Sequence, residues 1–131
     1  MTIILLDTNF LMIPGQFKID VFTEIERIIP DYELLTLSGI MLELKKVGET
    51  ARKGRDKISA KIAIQIVENK AKENKIKISE SSGDVDEFIV KFAVENGAVV
   101  CTNDKELKRK LRDQNVRIIH LRSKSKLEFL N

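Results

Sequence analysis

With one cysteine, one histidine and no tryptophan among 131 residues, the chain lacks the side chains on which several common chemistries depend. Cys101 alone closes no internal disulfide and builds no cysteine-based zinc site, and its place in the apolar run Ala98 to Cys101 marks it as core filler. His120, the only imidazole, lies in a stretch that reads as the last strand, where packing or an edge position accounts for it. A Ser-His-Asp hydrolase therefore lacks its usual base, and zinc or copper sites lack their usual nitrogen and sulfur ligands. Long apolar runs are missing too, so no segment has the roughly twenty residues that a membrane-crossing helix needs. The stretch Met1 to Phe10 meets Asp7 before it reaches the length of a secretory apolar region. These absences lead to the expectation of a cytoplasmic protein with no membrane partner.

What is present is a balanced globular composition, 43% hydrophobic and 33% charged, which supports both a core and a soluble surface. The length suits one domain spanning residues 1–131. A formal net charge of +3 says little, but its distribution is uneven. One basic run contains Lys45, Lys46, Arg52, Lys53, Arg55, Lys57 and Lys61; a second extends from Lys105 through Lys108, Arg109, Lys110 and Arg112 to Lys126. Such runs attract a polyanion by releasing its condensed counterions, although solvated helix faces are the plain structural alternative.

Periodicity organises the chain into alternating strands and helices. Thr2 to Leu6 is an apolar run ending at Asp7, the pattern of a strand buried on both faces. After a break at Pro14-Gly15, Val21, Ile25, Ile28 and Ile29 recur at helical spacing until Pro30. Tyr32 to Leu37 reads as a strand, with Ser38 as the cap of a helix that carries Ile40, Leu44 and Val47 and ends before Gly48. A long lysine-rich helix is expected from about Thr50 to Asn74, its apolar stripe formed by Ile58, Ile62, Ile66 and Val67, with a loop as the alternative near Gly54. Lys75 to Ser79 is a third strand, and a helix with Val85, Phe88, Ile89, Phe92 and Ala93 follows and stops at Gly97. Ala98 to Thr102, a basic helix over Asp104 to Gln114, and Val116 to Leu121 complete the alternation. The tail from Ser123 carries Leu127, Phe129 and Leu130, which favour docking over a free end. The pattern predicts an α/β fold, a three-layer α/β/α sandwich around a mainly parallel sheet of about five strands.

Acids stand at the informative places. In open parallel sheets, ligands bind beyond the carboxyl ends of the strands, and Asp7 and Asp104 each follow a buried run there. Glu43 lies three residues after Ile40 and next to Leu44, so its carboxylate is expected on a largely apolar helix face. Asp86 precedes Ile89 and Ala93 at helical spacing, and Asp84 stands at the probable start of that helix. Carboxylates gathered in one low-dielectric place repel one another unless a cation compensates, and an all-oxygen ligand set suits Mg2+ or Mn2+. Each acid has a structural alternative. Asp7, Asp84 and Asp104 suit helix caps, Asp86 suits a first helical turn, and Glu43 suits an ion pair with Lys46. Asn9, Thr102 and Asn103 are turn residues or groups that orient the carboxylates and hold water.

These residues resemble the PIN-domain family. Leu5-Leu6-Asp7-Thr8-Asn9-Phe10-Leu11 is similar to its first motif, Glu43 stands where the family places its second acid, Asp86 with Ile89 and Ala93 resembles the third motif, and Thr102-Asn103-Asp104 the fourth. The ending Thr102 to Arg112, followed by a strand, is similar to archaeal PIN nucleases of the small-subunit rRNA-processing type, and VapC-type toxins are the other close group. The resemblance implies metal-dependent hydrolysis of RNA phosphodiester bonds. Asp7, Glu43, Asp86 and Asp104 would hold Mg2+ or Mn2+, water would be the nucleophile, and the products would carry 5′-phosphates and 3′-hydroxyls. Asp84, Asn9, Thr102 and Asn103 would support that site. Lys45, Lys46, Arg52, Lys53, Arg55, Lys108 and Arg109 would hold the RNA backbone, and the scarcity of aromatics points to recognition by shape or through other proteins. An antitoxin or a ribosome-assembly partner, and a homodimer, are implied by family alone. A haloacid-dehalogenase-like phosphatase fits less well, since Asn9 stands where its second Asp belongs. A non-catalytic RNA- or protein-binding module of ribosome assembly is the alternative outside enzymes.

Overall fold

The computed structural model describes residues 1–131. Six strands, β1 (Thr2–Leu6), β2 (Tyr32–Leu37), β3 (Ile76–Ser79), β4 (Val99–Cys101), β5 (Ile118–Arg122) and β6 (Lys126–Phe129), form one sheet in the order β3-β2-β1-β4-β5-β6. The first five are mutually parallel, and β6 runs antiparallel to β5. Seven helices occupy the connections: α1 (Thr8–Leu11), α2 (Ile13–Gln16), α3 (Val21–Ile28), α4 (Ser38–Thr50), α5 (Gly54–Lys72), α6 (Val85–Asn96) and α7 (Lys105–Asp113). Strand order runs outward from β1 to β3 and then, from β4, outward on the other side. Right-handed crossovers consequently put α1 to α5 on one face and α6 and α7 on the other. The order reverses between β1 and β4, and a crevice opens at such a reversal beyond the carboxyl ends of the strands.

The core explains why the sheet strands are so apolar. Ile4, Leu5 and Leu6 of β1 and Val100 and Cys101 of β4 are wholly buried, because helices cover both faces of the central strands. Thr36 of β2 is the buried polar exception, and its hydroxyl donates to the Leu6 carbonyl at 2.9 Å. No helix is long and apolar enough to cross a membrane.

Several local expectations are corrected. Pro14 and Gly15 do not simply break the chain but sit inside the short helix α2, with proline in the first turn where its missing N–H is harmless. Ser38 is the first residue of α4 rather than its cap; the flanking residue is Leu37, and the Ser38 hydroxyl accepts instead from the Ser81 N–H. Gly48 does not end that helix, which continues to Thr50. A Cβ there would make only ordinary contacts, 3.5 Å to Lys61 Cγ and 3.9 Å to Ala60 Cβ, so the helix passes through this position without strain.

Helix α5 buries a face that shares only Val67 with the expected apolar stripe. Ile58 is exposed and Ile62 and Ile66 are half-buried, whereas Ser59, Ala60, Ala63 and Val67 are buried. Small residues are needed where two other backbones press in: a Cβ on Gly15 of α2 would lie 2.8 Å from the Ser59 Cα. Helix α5 spans Gly54–Lys72, later than the expected start near Thr50, a residue that belongs to α4, and it is helical at Gly54, where a loop was the alternative. The tail forms a sixth strand beyond the five expected, and its backbone is held from afar. Arg27 of α3 donates to the Leu127 carbonyl at 3.1 Å while Glu24 accepts from the Leu127 N–H at 3.1 Å.

Candidate active site

The end of β1 delivers Asp7 into the crevice between β1 and β4. Its N–H donates to the Cys101 carbonyl at 3.1 Å, which prolongs the β1–β4 pairing to the first residue beyond the strand. The residue is only 5% exposed, and its side chain caps nothing, although it flanks α1. What holds it is the buried Thr102 hydroxyl, which donates to Asp7 Oδ2 at 2.7 Å and accepts from the Asp104 N–H at 3.1 Å. One threonine at the end of β4 thus fixes the positions of both neighbouring acids. Asn9 accepts from the Asn103 N–H at 3.2 Å, and Asn103 accepts from the Leu121 N–H at 2.9 Å. Through these amides the ends of β1, β4 and β5 are tied into one rim.

Asp84, Asp86 and Asp104 come from helix starts, and Glu43 from the middle of α4. Asp104 flanks α7 and gives Oδ1 to the Leu107 N–H at 2.9 Å, a side-chain cap that leaves its second oxygen available. Asp84 caps α6 through the Glu87 N–H at 2.9 Å and is exposed, while Asp86 lies half-buried in the first turn of the same helix. Glu43 corrects the expectation of an apolar setting: it is exposed, it forms no ion pair with Lys46, and Thr8 donates to its Oε1 at 2.5 Å. Thr8 thus has a task that its place in the Asp-Thr-Asn run does not signal.

Asp7, Glu43, Asp84, Asp86 and Asp104 line one open pocket of about 430 Å³, together with Thr8, Asn9, Met12, Val47 and Val85. Met12 and Val47 as walls were not foreseen, since nothing local distinguishes them from core residues. Electrostatics reflect the crowding. Burial, reinforced by the charges of Asp86 and Glu43 and opposed by the Thr102 and Thr8 hydrogen bonds, pushes the Asp7 carboxyl up to about 6. Asp86 is also raised, first by desolvation and then by Asp104, Asp84 and Glu43, with Lys110 acting against them.

The donor set suits a hard divalent cation. All the candidate ligands are oxygens, and carboxylates that raise one another's proton affinity gain from a positive charge set among them. No three of the acids converge tightly enough to enclose an ion by direct coordination alone.

The basic residues divide into two kinds. Lys45 and Lys46 on α4, Arg52 and Lys53 in the turn, and Arg55 on α5 are exposed and form no ion pair. Arg109 is instead engaged by Glu106 at 2.5 Å and Asp113 at 3.5 Å, and Lys108 is half-buried against His120. Cys101 is fully buried, as expected of filler, and burial raises its thiol pKa.

Comparison with known proteins covers almost the whole chain. The family described as PIN-like domain matches residues 4–124. Ribonuclease VapC4 of Methanocaldococcus jannaschii is 35% identical over 126 residues, covering 94% of this chain and 92% of that protein. Ribonuclease VapC9 of Archaeoglobus fulgidus is 29% identical over 116 residues, covering 88% and 80% respectively. Among solved structures, the PIN domain endonuclease Utp24 superposes with a TM-score of 0.77 at 25% identity, over 98% of this chain and 90% of that one. A domain of a functionally unknown protein from Methanocaldococcus jannaschii shares the fold with a TM-score of 0.65 at 20% identity, over 94% and 93%.

Proposed function

Because the chain belongs to the PIN-like domain family, we propose that it is an endoribonuclease that hydrolyses RNA phosphodiester bonds with Mg2+ or Mn2+ at the acid pocket. One observation carries the reading: acids from four separate parts of the chain, Asp7, Glu43, Asp86 and Asp104, line a single pocket where the strand order reverses. Nothing in local folding requires that meeting, since a cap or a first-turn acid works equally well anywhere on the surface.

In this reading Asp7, Glu43, Asp86 and Asp104 would hold the cation, directly or through its waters. When bound, the divalent ion lowers the pKa of a water and offsets negative charge growing at the phosphate. Thr102 keeps Asp7 and Asp104 in register, and Thr8 restrains Glu43 so that its carboxylate is ordered before RNA arrives. Asn9, Asn103 and Asp84 steady the rim. Lys45, Lys46, Arg52, Lys53 and Arg55, free of acidic partners, hold the RNA backbone beside the pocket, with further help from Lys108 and Arg109. Water forms the new P–O bond and the P–O3′ bond breaks, so cleavage leaves a 5′-phosphate and a 3′-hydroxyl and does not use the RNA's 2′-hydroxyl.

The one-domain chain, 1–131, acts in the cytoplasm, as a VapC-type toxin restrained by an antitoxin or in rRNA processing with a ribosome-assembly partner, and a homodimer is the natural assembly. Incubating the purified chain with single-stranded and structured RNA in Mn2+ or in chelator tests the activity. Cleavage that requires the metal and is lost in Asp7→Asn and Asp104→Asn, with folding intact, is expected. If both variants cut at the wild-type rate, the acid pocket is not the active site. RNA bound but never cut by the wild type would favour a non-catalytic binding module.

A further inference from the structure

A second polar cluster lies on the same rim, on the β5 side of the acids. Lys108 of α7 places its Nζ 3.0 Å from His120 Nδ1, so the ring accepts there and a neutral imidazole carries its proton on Nε2. Beside them, Arg122 Nε lies 3.5 Å from Glu128 Oε1, and that same oxygen is 3.9 Å from His120 Nε2, beyond hydrogen-bond reach. Cations dominate the surroundings. Lys105, Arg112 and Arg122 face Lys108 and His120 from α7 and β5, against Glu128 on β6 and Asp104 at the start of α7. Like charges held side by side, with an imidazole N–H left free, make a setting that a phosphate group would satisfy.

The position relative to the acids is set by two hydrogen bonds. Asn103 accepts from Leu121, the residue after His120, and the Lys108 N–H donates to the Asp104 carbonyl one helical turn back. His120 and Lys108 are therefore neighbours of the fourth acid. The free cations of the α4–α5 hairpin lie on the other side, since α4 follows β2 and β2 flanks β1. A strand of nucleic acid laid across the rim meets positive charge, then the acid pocket, then positive charge again.

We infer that Lys108, His120 and Arg122 form a second phosphate-binding subsite for the RNA backbone, on the opposite flank of the acid pocket from the α4–α5 hairpin. The inference rests on the ribonuclease reading and adds to it the path of the substrate. Lys108 and His120 act together: the lysine supplies charge, and the ring, oriented by the lysine, supplies a directed N–H donor. They are binding residues, and Asp7 and its neighbours retain their chemistry without them.

Fluorescence anisotropy of a labelled dodecameric single-stranded RNA, titrated with the full chain in chelator so that nothing is cut, tests the assignment. Lys108→Met, His120→Gln and the double variant are compared with wild type, with Lys108→Arg, and with Lys72→Met, the same charge loss at the far end of α5. The expected result is about five-fold weaker binding in Lys108→Met and a slope of log Kd against log salt reduced by about one. His120→Gln should bind more weakly with its salt slope unchanged, whereas Lys108→Arg and Lys72→Met should stay within about two-fold of wild type. Thermal melting of each variant checks folding, and His120→Gln keeps the test decisive should Lys108→Met prove unstable. Wild-type affinity and salt slope in folded Lys108→Met and His120→Gln would overturn the subsite while leaving metal-dependent cleavage untouched. Equal loss in Lys72→Met would do so too, by showing that only net charge matters. A wild type that neither binds nor cuts RNA would remove the ribonuclease reading first.

Discussion

Burial drives the Asp7 carboxyl from an ordinary 3.8 up to about 6, and this has a consequence for stability. Between those values the folded chain holds a proton that the unfolded chain has released, so stability falls as pH rises through that window and stays lower above it. Two units correspond to about 3 kcal/mol of order-of-magnitude cost to the metal-free fold at neutral pH. Asp7→Asn, which keeps an acceptor for Thr102, is therefore expected to melt above wild type in chelator near neutral pH, with the difference closing near pH ~4. Adding Mn2+ should raise the wild-type melting temperature and leave the variant unchanged. A variant less stable than wild type at every pH would contradict this account of the buried charge.

Asp104 separates two tasks that share one side chain. Its Oδ1 caps α7, and asparagine caps about as well as aspartate, so Asp104→Asn should unfold like wild type in urea while losing at least about a hundred-fold in cleavage rate. Asp104→Ala should lose the same activity and in addition about 1 kcal/mol of stability. If the alanine variant were as stable as the asparagine one, the capping bond would be without energetic weight. The acids and the Asp-Thr-Asn and Thr-Asn-Asp runs were readable at this scale, because Asp7 and Asp104 follow apolar strands, Asp84 and Asp86 open a helix, and Glu43 adjoins an apolar residue of α4. The exposure of Glu43 and its Thr8 partner were not, because they depend on how α1 meets α4.

Between elements, the junction of α4 with the turn before α6 matters most to the pocket. Ser81 accepts from the Gly39 N–H at 2.9 Å and donates its own N–H to Ser38 at 2.9 Å, which joins the helix carrying Glu43 to the one carrying Asp86. Ser81→Ala leaves the Gly39 N–H without its acceptor, a cost of about 1–3 kcal/mol in chemical denaturation. Cleavage should slow several-fold while RNA affinity falls much less, because Arg52, Lys53 and Arg55 lie beyond the helix that the junction anchors; an equal loss of affinity would mean that the junction is not a local hinge. Gly15→Ala offers a contrast on α2, a helix that carries none of the acids. Its Cβ would meet the Ser59 backbone, which cannot rotate away, so stability should fall by about 1–3 kcal/mol with activity retained in the folded fraction. Helix α5 shows why element boundaries were easier to read than buried faces. Its length follows from propensity, but the face it buries follows from the two backbones packed against it.

At the scale of the molecule, the free cations of the α4–α5 hairpin predict salt-sensitive binding. Arg52→Glu with Lys53→Glu should weaken RNA affinity and flatten its salt dependence by about two, measured by anisotropy across a salt series, with no change in melting temperature. Unchanged affinity would move the RNA path off the hairpin. The same scale contains the one strand that periodicity did not assign. Leu127, Phe129 and Leu130 marked the tail as docking, yet pairing with β5 also depends on Glu24 and Arg27, about a hundred residues away, to satisfy the Leu127 backbone.

Local pattern alone determined the five parallel strands and the longer helices between them, that the sheet is mostly parallel, and that Asp7, Asp84, Asp86 and Asp104 stand at strand ends and helix starts. Those properties are written in spacings of two to four residues, over which backbone geometry dictates direction. Only the tertiary structure decided that β1 lies beside β4, so that Asp7 meets Thr102 and Asp104 across almost the whole length of the chain. It also decided that glycine and alanine, rather than isoleucine, face inward where helices press together, and that Lys108 leans on His120 at the rim. Strand order and close packing are settled by contacts between distant segments, and no window of sequence contains both partners of such a contact.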